Sequence, residues 1–257
     1  MSEAIHQGYV HSNIDEFGIA VVEFGHPLSN SLPGKILQLL ADTITQLGNE
    51  QSVKVIVLRS GGEKAFCAGA SFDELISIND LTTGHQFFSG FAKVINACRK
   101  APKFIIGRVQ GKAVGGGVGL ASAVDYCLAT KYADVKLSEL AVGIGPFVVG
   151  PAVERKIGLS AMSELAINAT EWRPADWAKK KGLFTDVFDT EEEMDSEINR
   201  LAKQLAKSNP EAMAMLKKVF WEGTEHWDDL LMERAGMSGH LVLSDFTVQA
   251  INSFKKK

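Results

Sequence analysis

Apolar positions along the chain alternate between two rhythms. Residues 9–14 and 17–24 are β-prone runs separated by Asp15 and Glu16, which predicts an opening hairpin. Ile36, Leu39, Leu40, Ile44 and Leu47 then recur at helical spacing behind Pro33, placed as the first helical residue of a helix over 33–48. Residues 53–58 read as a buried strand, and 66–70 lead into a helical stretch that starts near Ser71. A further helix is predicted over 82–99, stopped by Pro102. The rhythm then repeats: a strand over 104–109, a glycine-rich turn over 111–117, a short buried helix over 118–124, and strands over 126–130 and 135–137. Repeated strand-strand-helix units predict an α/β layered core rather than a sandwich or a helical bundle.

After Phe188 only helical spacing remains, over 190–208, 210–222, 226–235 and 238–252, divided by Asn209-Pro210, Gly223 and Gly236. No linker rich in Pro, Ser or Gly separates the two regions. Residues 1–190 are expected to form the α/β core with the active site, and 191–257 a helical region that covers the site and contacts neighbouring subunits.

Composition narrows the class of protein. With 257 residues, 46% hydrophobic and 23% charged, the chain is long enough for a sizeable core and ordinary for a folded globular protein. Its net charge of −4 offers no basic excess for a nucleic acid or an anionic membrane. Cys67, Cys98 and Cys127 are an odd set at spacings that suit neither a disulfide framework nor a zinc site, so reduced thiols are expected. Residues 1–12 lack a basic stretch followed by an apolar one, and the longest apolar runs, 113–124 and 140–153, are broken by Gly or Pro. A cytoplasmic protein with no membrane partner is the expectation.

The run Gly111-Lys112-Ala113-Val114-Gly115-Gly116-Gly117-Val118-Gly119 sits between a strand and a helix, where glycines permit close approach of a ligand or a second backbone. It is not a Walker loop, because Ile106 and Ala113 stand where that motif needs Gly and Ser or Thr. Nor is it the dinucleotide fingerprint, because Leu120 replaces the third glycine. A tight structural turn and an anion or oxyanion site at a helix N-terminus both remain open. Glu139 lies among Val135, Leu137, Leu140, Ala141 and Val142 with no local charge partner. Desolvation should raise its pKa towards neutrality and suit it to acid/base work, although capping a turn or pairing with a distant lysine would also account for it. The six histidines show no ligand spacing, and no serine-hydrolase elbow occurs, so no metal site is expected. Trp172, Trp177, Trp221 and Trp227 read as core or interface anchors, and Met213 and Met215 need no cofactor.

Four stretches in order resemble the crotonase, or enoyl-CoA hydratase/isomerase, family. They are Lys64-Ala65-Phe66-Cys67-Ala68-Gly69-Ala70-Ser71-Phe72-Asp73-Glu74-Leu75; Gly111 to Gly117 with Asp125 beyond; Leu137-Ser138-Glu139-Leu140 running into Gly143-Ile144-Gly145-Pro146; and Ala175-x-x-Ala178-x-x-x-Gly182-Leu183. The resemblance implies a spiral of strand-strand-helix units with a helical C-terminal trimerisation region. It implies an acyl-CoA substrate whose thioester oxygen lies between the backbone N–H groups of Ala70 and Gly116, with Glu139 as general acid/base. Gly116 would leave room for the thioester. Leu28, Ala68, Ala70, Gly115, Gly116 and Gly119 would contact substrate, and Lys255, or a neighbour in the terminal lysine run, would reach a CoA phosphate held by the neighbouring subunit. A homotrimer or dimer of trimers is implied, with no metal or other cofactor, since CoA belongs to the substrate.

One departure stands out. Hydratases of the best-known type carry a first glutamate at the position of Gly119, so only the second, Glu139, is present. Two single-carboxylate readings follow: Glu139 alone serves hydration, or it shuttles a proton between carbons in an isomerase. Gly-Gly-Gly-Val-Gly-Leu, Leu-Ser-Glu and Gly-Ile-Gly-Pro, with Pro151-Ala152-Val153 and Ile157-Gly158, resemble the bacterial methylglutaconyl-CoA hydratase branch, which favours hydration. Gly119 would then widen the pocket for a β-methyl group. Some relatives bind RNA, and a non-catalytic RNA-binding or scaffold role is the alternative of another class; the net charge of −4 speaks against it.

Overall fold

The computed structural model describes residues 8–255. The opening hairpin pairs β1 (Tyr9–Ile14) antiparallel with β2 (Ile19–Gly25), and from there each further strand adds in parallel. The main sheet has the order β1-β2-β3-β5-β7-β9, with β3 at Val55–Ser60, β5 at Phe104–Val109, β7 at Tyr126–Thr130 and β9 at Asp186–Phe188. A second, three-stranded parallel sheet is formed by β4 (Ala65–Cys67), β6 (Lys112–Val114) and β8 (Val135–Lys136). The chain spirals: β3, β5 and β7 in the large sheet are followed by β4, β6 and β8 in the small one, and each pair by a helix. The strand-strand-helix expectation therefore holds, and parallel pairing explains the near-continuous Val/Ile/Leu content of β3 and β5.

Helices cover both faces of the large sheet. On one, α1 (Gly34–Asn49), α3 (Leu81–Lys100) and α4 (Gly116–Ala123) enclose the main core around Leu37, Leu40, Ile44, Ile56, Leu58 and Ile105. On the other, α7 (Glu191–Ala206) lays Met194, Ile198 and Ala202 on Ile19, Val55, Val57, Ile106 and Leu128. Arg108 on β5 is tied there by Asp195 and Glu191 of α7. The first helix of the C-terminal region thus seals the sheet, while the site lies elsewhere.

Three expectations are corrected. Pro33 caps α1 from outside rather than opening it, and Gly34 donates its N–H to Glu74 Oε2 at 2.7 Å. Glu74 belongs to the short α2 (Phe72–Ser77), which Ser71 caps. The glycine-rich turn contains β6 and ends two residues early, because α4 already starts at Gly116. Gly236 does not divide two helices: α9 runs unbroken over Trp227–Leu241, and the break comes before α10 (Asp245–Lys255). Of the glycines of α9, Gly239 serves packing. A Cβ on Gly84 of α3 would lie 2.8 Å from the Gly239 carbonyl, so both glycines are needed for α3 and α9 to touch.

Helix α5 (Gly150–Ile167) and strand β9 carry no clear signal in the sequence. Gly158, at φ 76°, interrupts the helical geometry of α5 midway, and β9 is only three residues long. After α6 (Ala175–Lys181) and β9, the chain reaches α7 and then α8 (Pro210–Phe220). Lys217 of α8 pairs with Asp125 at 2.6 Å, and Trp221 Nε1 donates to the other Asp125 oxygen at 2.9 Å. Asp125 also accepts the Ile105 N–H at 2.8 Å, so this buried carboxylate fastens the α4–β7 turn to α8. Trp221 and Trp227 are buried as expected, whereas Trp172 is 36% exposed between the ammonium groups of Lys112 and Lys136. All three cysteines are buried free thiols. Among the described residues no helix is long and apolar enough to cross a membrane.

Candidate active site

The site begins where the small sheet ends. Strands β4 and β6 run in parallel, Ala65 opposite Lys112 and Cys67 opposite Ala113, so the segments that follow them emerge side by side. Beyond β4, Ala68 donates its N–H to Ser29 at 3.0 Å, Leu32 donates to Gly69 at 2.8 Å, and Ser71 donates to Leu32 at 3.3 Å. The 28–32 loop is itself fixed, since Asn30 takes up left-handed φ and its amide donates to the Gly61 and Ala65 carbonyls at 2.7 and 2.8 Å. This pattern uses the backbone on either side of Ala70 and leaves the Ala70 N–H without a partner among the described residues.

Beyond β6 the chain turns sharply at Gly115, φ +51°, which donates its N–H to Lys136 at 2.8 Å. The turn starts α4, so the Gly116 N–H is among the helix's unpaired first donors and lies at its positive end. Gly69, at φ +88°, sits between the two segments: a Cβ there would be 2.9 Å from the Val114 carbonyl and 3.5 Å from the Gly116 nitrogen. Two free amides are thereby held beside each other by parallel strands and tight glycines.

The third strand of the small sheet brings in the carboxylate. After β8 a single 3-10 turn over Leu140–Val142 begins at Glu139 and ends at Gly143, φ 83°. The Glu139 carbonyl accepts from Ile144 at 2.9 Å, which fixes the residue where the chain reverses. Its side chain lies against the Gly115 turn, where a Cβ on Gly115 would be 2.9 Å from Oε1. The other oxygen, Oε2, is shielded from solvent and has no hydrogen-bond partner. Desolvation raises the Glu139 pKa from 4.5 to about 7, opposed only in part by a bond from its own backbone N–H. Phe246 and Thr247 of α10 back the turn at Gly143, so the last helix braces the carboxylate's support.

Ala68, Ala70, Gly115, Gly116 and Glu139 line one cavity, narrow enough that about 70 Å³ is open to the centre of a water molecule. One of the residues expected at the site is placed differently. Gly119 does not face the cavity: a Cβ there would stand 2.4 Å from Val149 Cγ1, and it is Val149 that forms the wall. The widening expected from Gly119 is therefore absent, because Val149 fills the space. Leu28 is 48% exposed on the loop that holds Ala68 and does not line the cavity. The side chain of Lys255 falls outside the described residues, as do Lys256 and Lys257. The reason expected for Gly116 also changes, since a Cβ there would first meet the Phe91 ring at 2.2 Å.

Several lining residues carry no signal of their own in the sequence. Phe88 and Phe91 read as core positions of a helix, and Ser238 of α9 lies far along the chain from Glu139. Their shared role is set by the α3–α9 crossing at Gly84 and Gly239, a tertiary contact.

Comparison with known proteins agrees with this architecture. The family model described as "Enoyl-CoA hydratase/isomerase" matches residues 15–242. The methylglutaconyl-CoA hydratase of Mus musculus mitochondria is 30% identical over 200 residues, 76% of this chain and 63% of that protein. The chain thus spans less than two thirds of the length of that relative. A short-chain-enoyl-CoA hydratase of Clostridium acetobutylicum is 28% identical over 80% of this chain and 79% of its own length. Among solved structures, an enoyl-CoA hydratase from Bacillus halodurans superposes with a TM-score of 0.87 at 20% identity, covering 95% of this chain and 99% of its own. One from Mycobacterium smegmatis superposes at 0.79 with 26% identity, covering 96% of each chain.

Proposed function

Because the chain belongs to the enoyl-CoA hydratase/isomerase family, we propose that it adds water across the 2,3 double bond of an enoyl-CoA thioester through an enolate. The observation that carries this reading is the meeting, in one cavity, of two unpartnered backbone amides with a desolvated carboxylate, one oxygen of which has no hydrogen-bond partner. In the reaction, ionised Glu139 takes a proton from water as the hydroxyl bonds to the β-carbon. The electron pair of the double bond moves onto the thioester oxygen, held by the N–H groups of Ala70 and Gly116. Charge develops on that oxygen only as the reaction proceeds, so preformed donors lower the barrier more than they stabilise bound substrate. Protonated Glu139 then returns its proton to the α-carbon, and a residue near pKa 7 is suited to both transfers.

Ala68 and Leu28 border the path proposed for pantetheine and adenine, with Lys255 offered to a CoA phosphate across a subunit contact in a trimer or dimer of trimers. CoA arrives with the substrate, and the reading calls on no metal or redox cofactor. The name of the mouse relative, a methylglutaconyl-CoA hydratase, makes a branched acyl group one candidate.

A second reading, double-bond migration with Glu139 as the proton shuttle, is favoured by one observation: among the described residues Glu139 is the one carboxylate that lines the cavity. Incubation with crotonyl-CoA and with a 3-enoyl-CoA distinguishes the two. Gain of one water with loss of conjugated-thioester absorbance is expected. Unchanged mass with absorbance appearing from the 3-enoyl substrate would make the enzyme an isomerase.

A further inference from the structure

The wall of the Glu139 cavity is one-sided. Four phenyl rings, those of Phe72, Phe88, Phe91 and Phe147, face it together with aliphatic side chains, and the polar side chains besides Glu139 are the hydroxyls of Ser138 and Ser238. Among the described residues Glu139 is the single ionisable group on this wall. Arg234 comes close without lining the cavity: its guanidinium is 3.5 Å from the Phe147 carbonyl and 3.7 Å from where a Cβ on Gly150 would lie. The Phe147 ring is held in place by Gly145, where a Cβ would stand 2.4 Å from a ring carbon. The apolar wall is thus built into the loop that follows Glu139.

From this wall, and resting on the acyl-CoA reading above, we infer that the site selects uncharged acyl groups, aliphatic or aryl, and rejects those that end in a carboxylate. An apolar chain gains by leaving water for a wall of rings and methyl groups. A terminal carboxylate would lose its hydration, find no cation, and share the cavity with the negative charge of Glu139. This separates the chain from the acid named for the mouse relative, whose family and fold it shares. Phe147 is the specificity-determining residue, because it lines the cavity while its backbone carbonyl lies 3.5 Å from the Arg234 guanidinium, which does not line it.

The test uses the full-length protein and two matched pairs of substrates that differ only in the terminal carboxylate. These are crotonyl-CoA with glutaconyl-CoA, and 3-methylcrotonyl-CoA with 3-methylglutaconyl-CoA. Near pH 8, where Glu139 is ionised, kcat/KM is expected to be at least about 100-fold lower for the acid of each pair, the scale set by burying an unpaired charge. In Phe147→Arg, checked for native folding by circular dichroism, the gap within each pair should narrow at least about 10-fold. Equal or better turnover of the acids by the unaltered enzyme would overturn the inference. Failure to turn over any of the four substrates would instead overturn the hydratase reading on which it rests.

Discussion

Replacing Glu139 with glutamine separates what the carboxylate does for the reaction from what it does to the fold. The pKa of Glu139 rises from 4.5 to about 7 on folding, chiefly through desolvation. A tenfold change in proton affinity is worth about 1.4 kcal/mol, so ionised Glu139 destabilises the folded state by about 3 kcal/mol. The sign follows from proton binding. The folded chain holds this proton more tightly than the unfolded chain, so the penalty is absent below about pH 4.5, grows up to about pH 7 and is constant above it. Glu139→Gln keeps the shape and removes the charge. It should therefore unfold at higher urea than the unaltered protein near pH 8, by up to about 3 kcal/mol, and show little difference near pH 4.5. The comparison is made at one protein concentration, since subunit association would add its own stabilisation. The same preparation should lose at least about 100-fold in enoyl-CoA turnover with binding largely retained. A glutamine variant less stable near pH 8, or equally shifted at both pH values, would refute the picture of an unpaired, desolvated carboxylate.

Other perturbations probe neighbouring parts of the account. The pH profile of kcat/KM should rise through an inflection near 7, because the ionised form of Glu139 takes the first proton; a profile flat from about pH 5.5 to 8.5 would contradict this. Gly119→Glu alone should lower the melting temperature and gain no hydration, because its Cβ would meet Val149 at 2.4 Å, whereas adding Val149→Ala should recover part of the loss in a thermal melt. Gly115→Ala should reduce turnover at least about 10-fold, since φ +51° and Glu139 Oε1 at 2.9 Å leave a methyl group no place without moving the carboxylate. Lys217→Met leaves the buried Asp125 without its cation and should cost about 3–5 kcal/mol in urea unfolding, with turnover per folded molecule unchanged.

The strand-strand-helix order and the desolvated carboxylate are legible in the sequence for a common reason: local chemistry fixes them. The strand at Phe104–Val109 and the hairpin announce themselves by β-branched runs and charged turns, and Glu139 by its apolar neighbours. The pairing of Ala70 with Gly116 comes from resemblance to known motifs, and the parallel register of β4 and β6 supplies its physical basis. What the sequence does not reveal depends on contacts between distant segments. Val149 over Gly119, Phe91 over Gly116 and Ser238 on the cavity wall are consequences of how α3, α5 and α9 cross. Gly236 reads as a break because glycine often ends a helix, yet α9 runs through it. Helix α5 is hidden because Gly158 breaks its periodicity.

The most direct test of the central claim is to run the purified protein on crotonyl-CoA in D₂O and examine the product by mass spectrometry and NMR. The account predicts 3-hydroxybutyryl-CoA carrying one solvent deuterium on the α-carbon, formed by the unaltered enzyme and at least about 100-fold more slowly by Glu139→Gln. Failure to form the hydrated product, or equal rates for the two proteins, would contradict it.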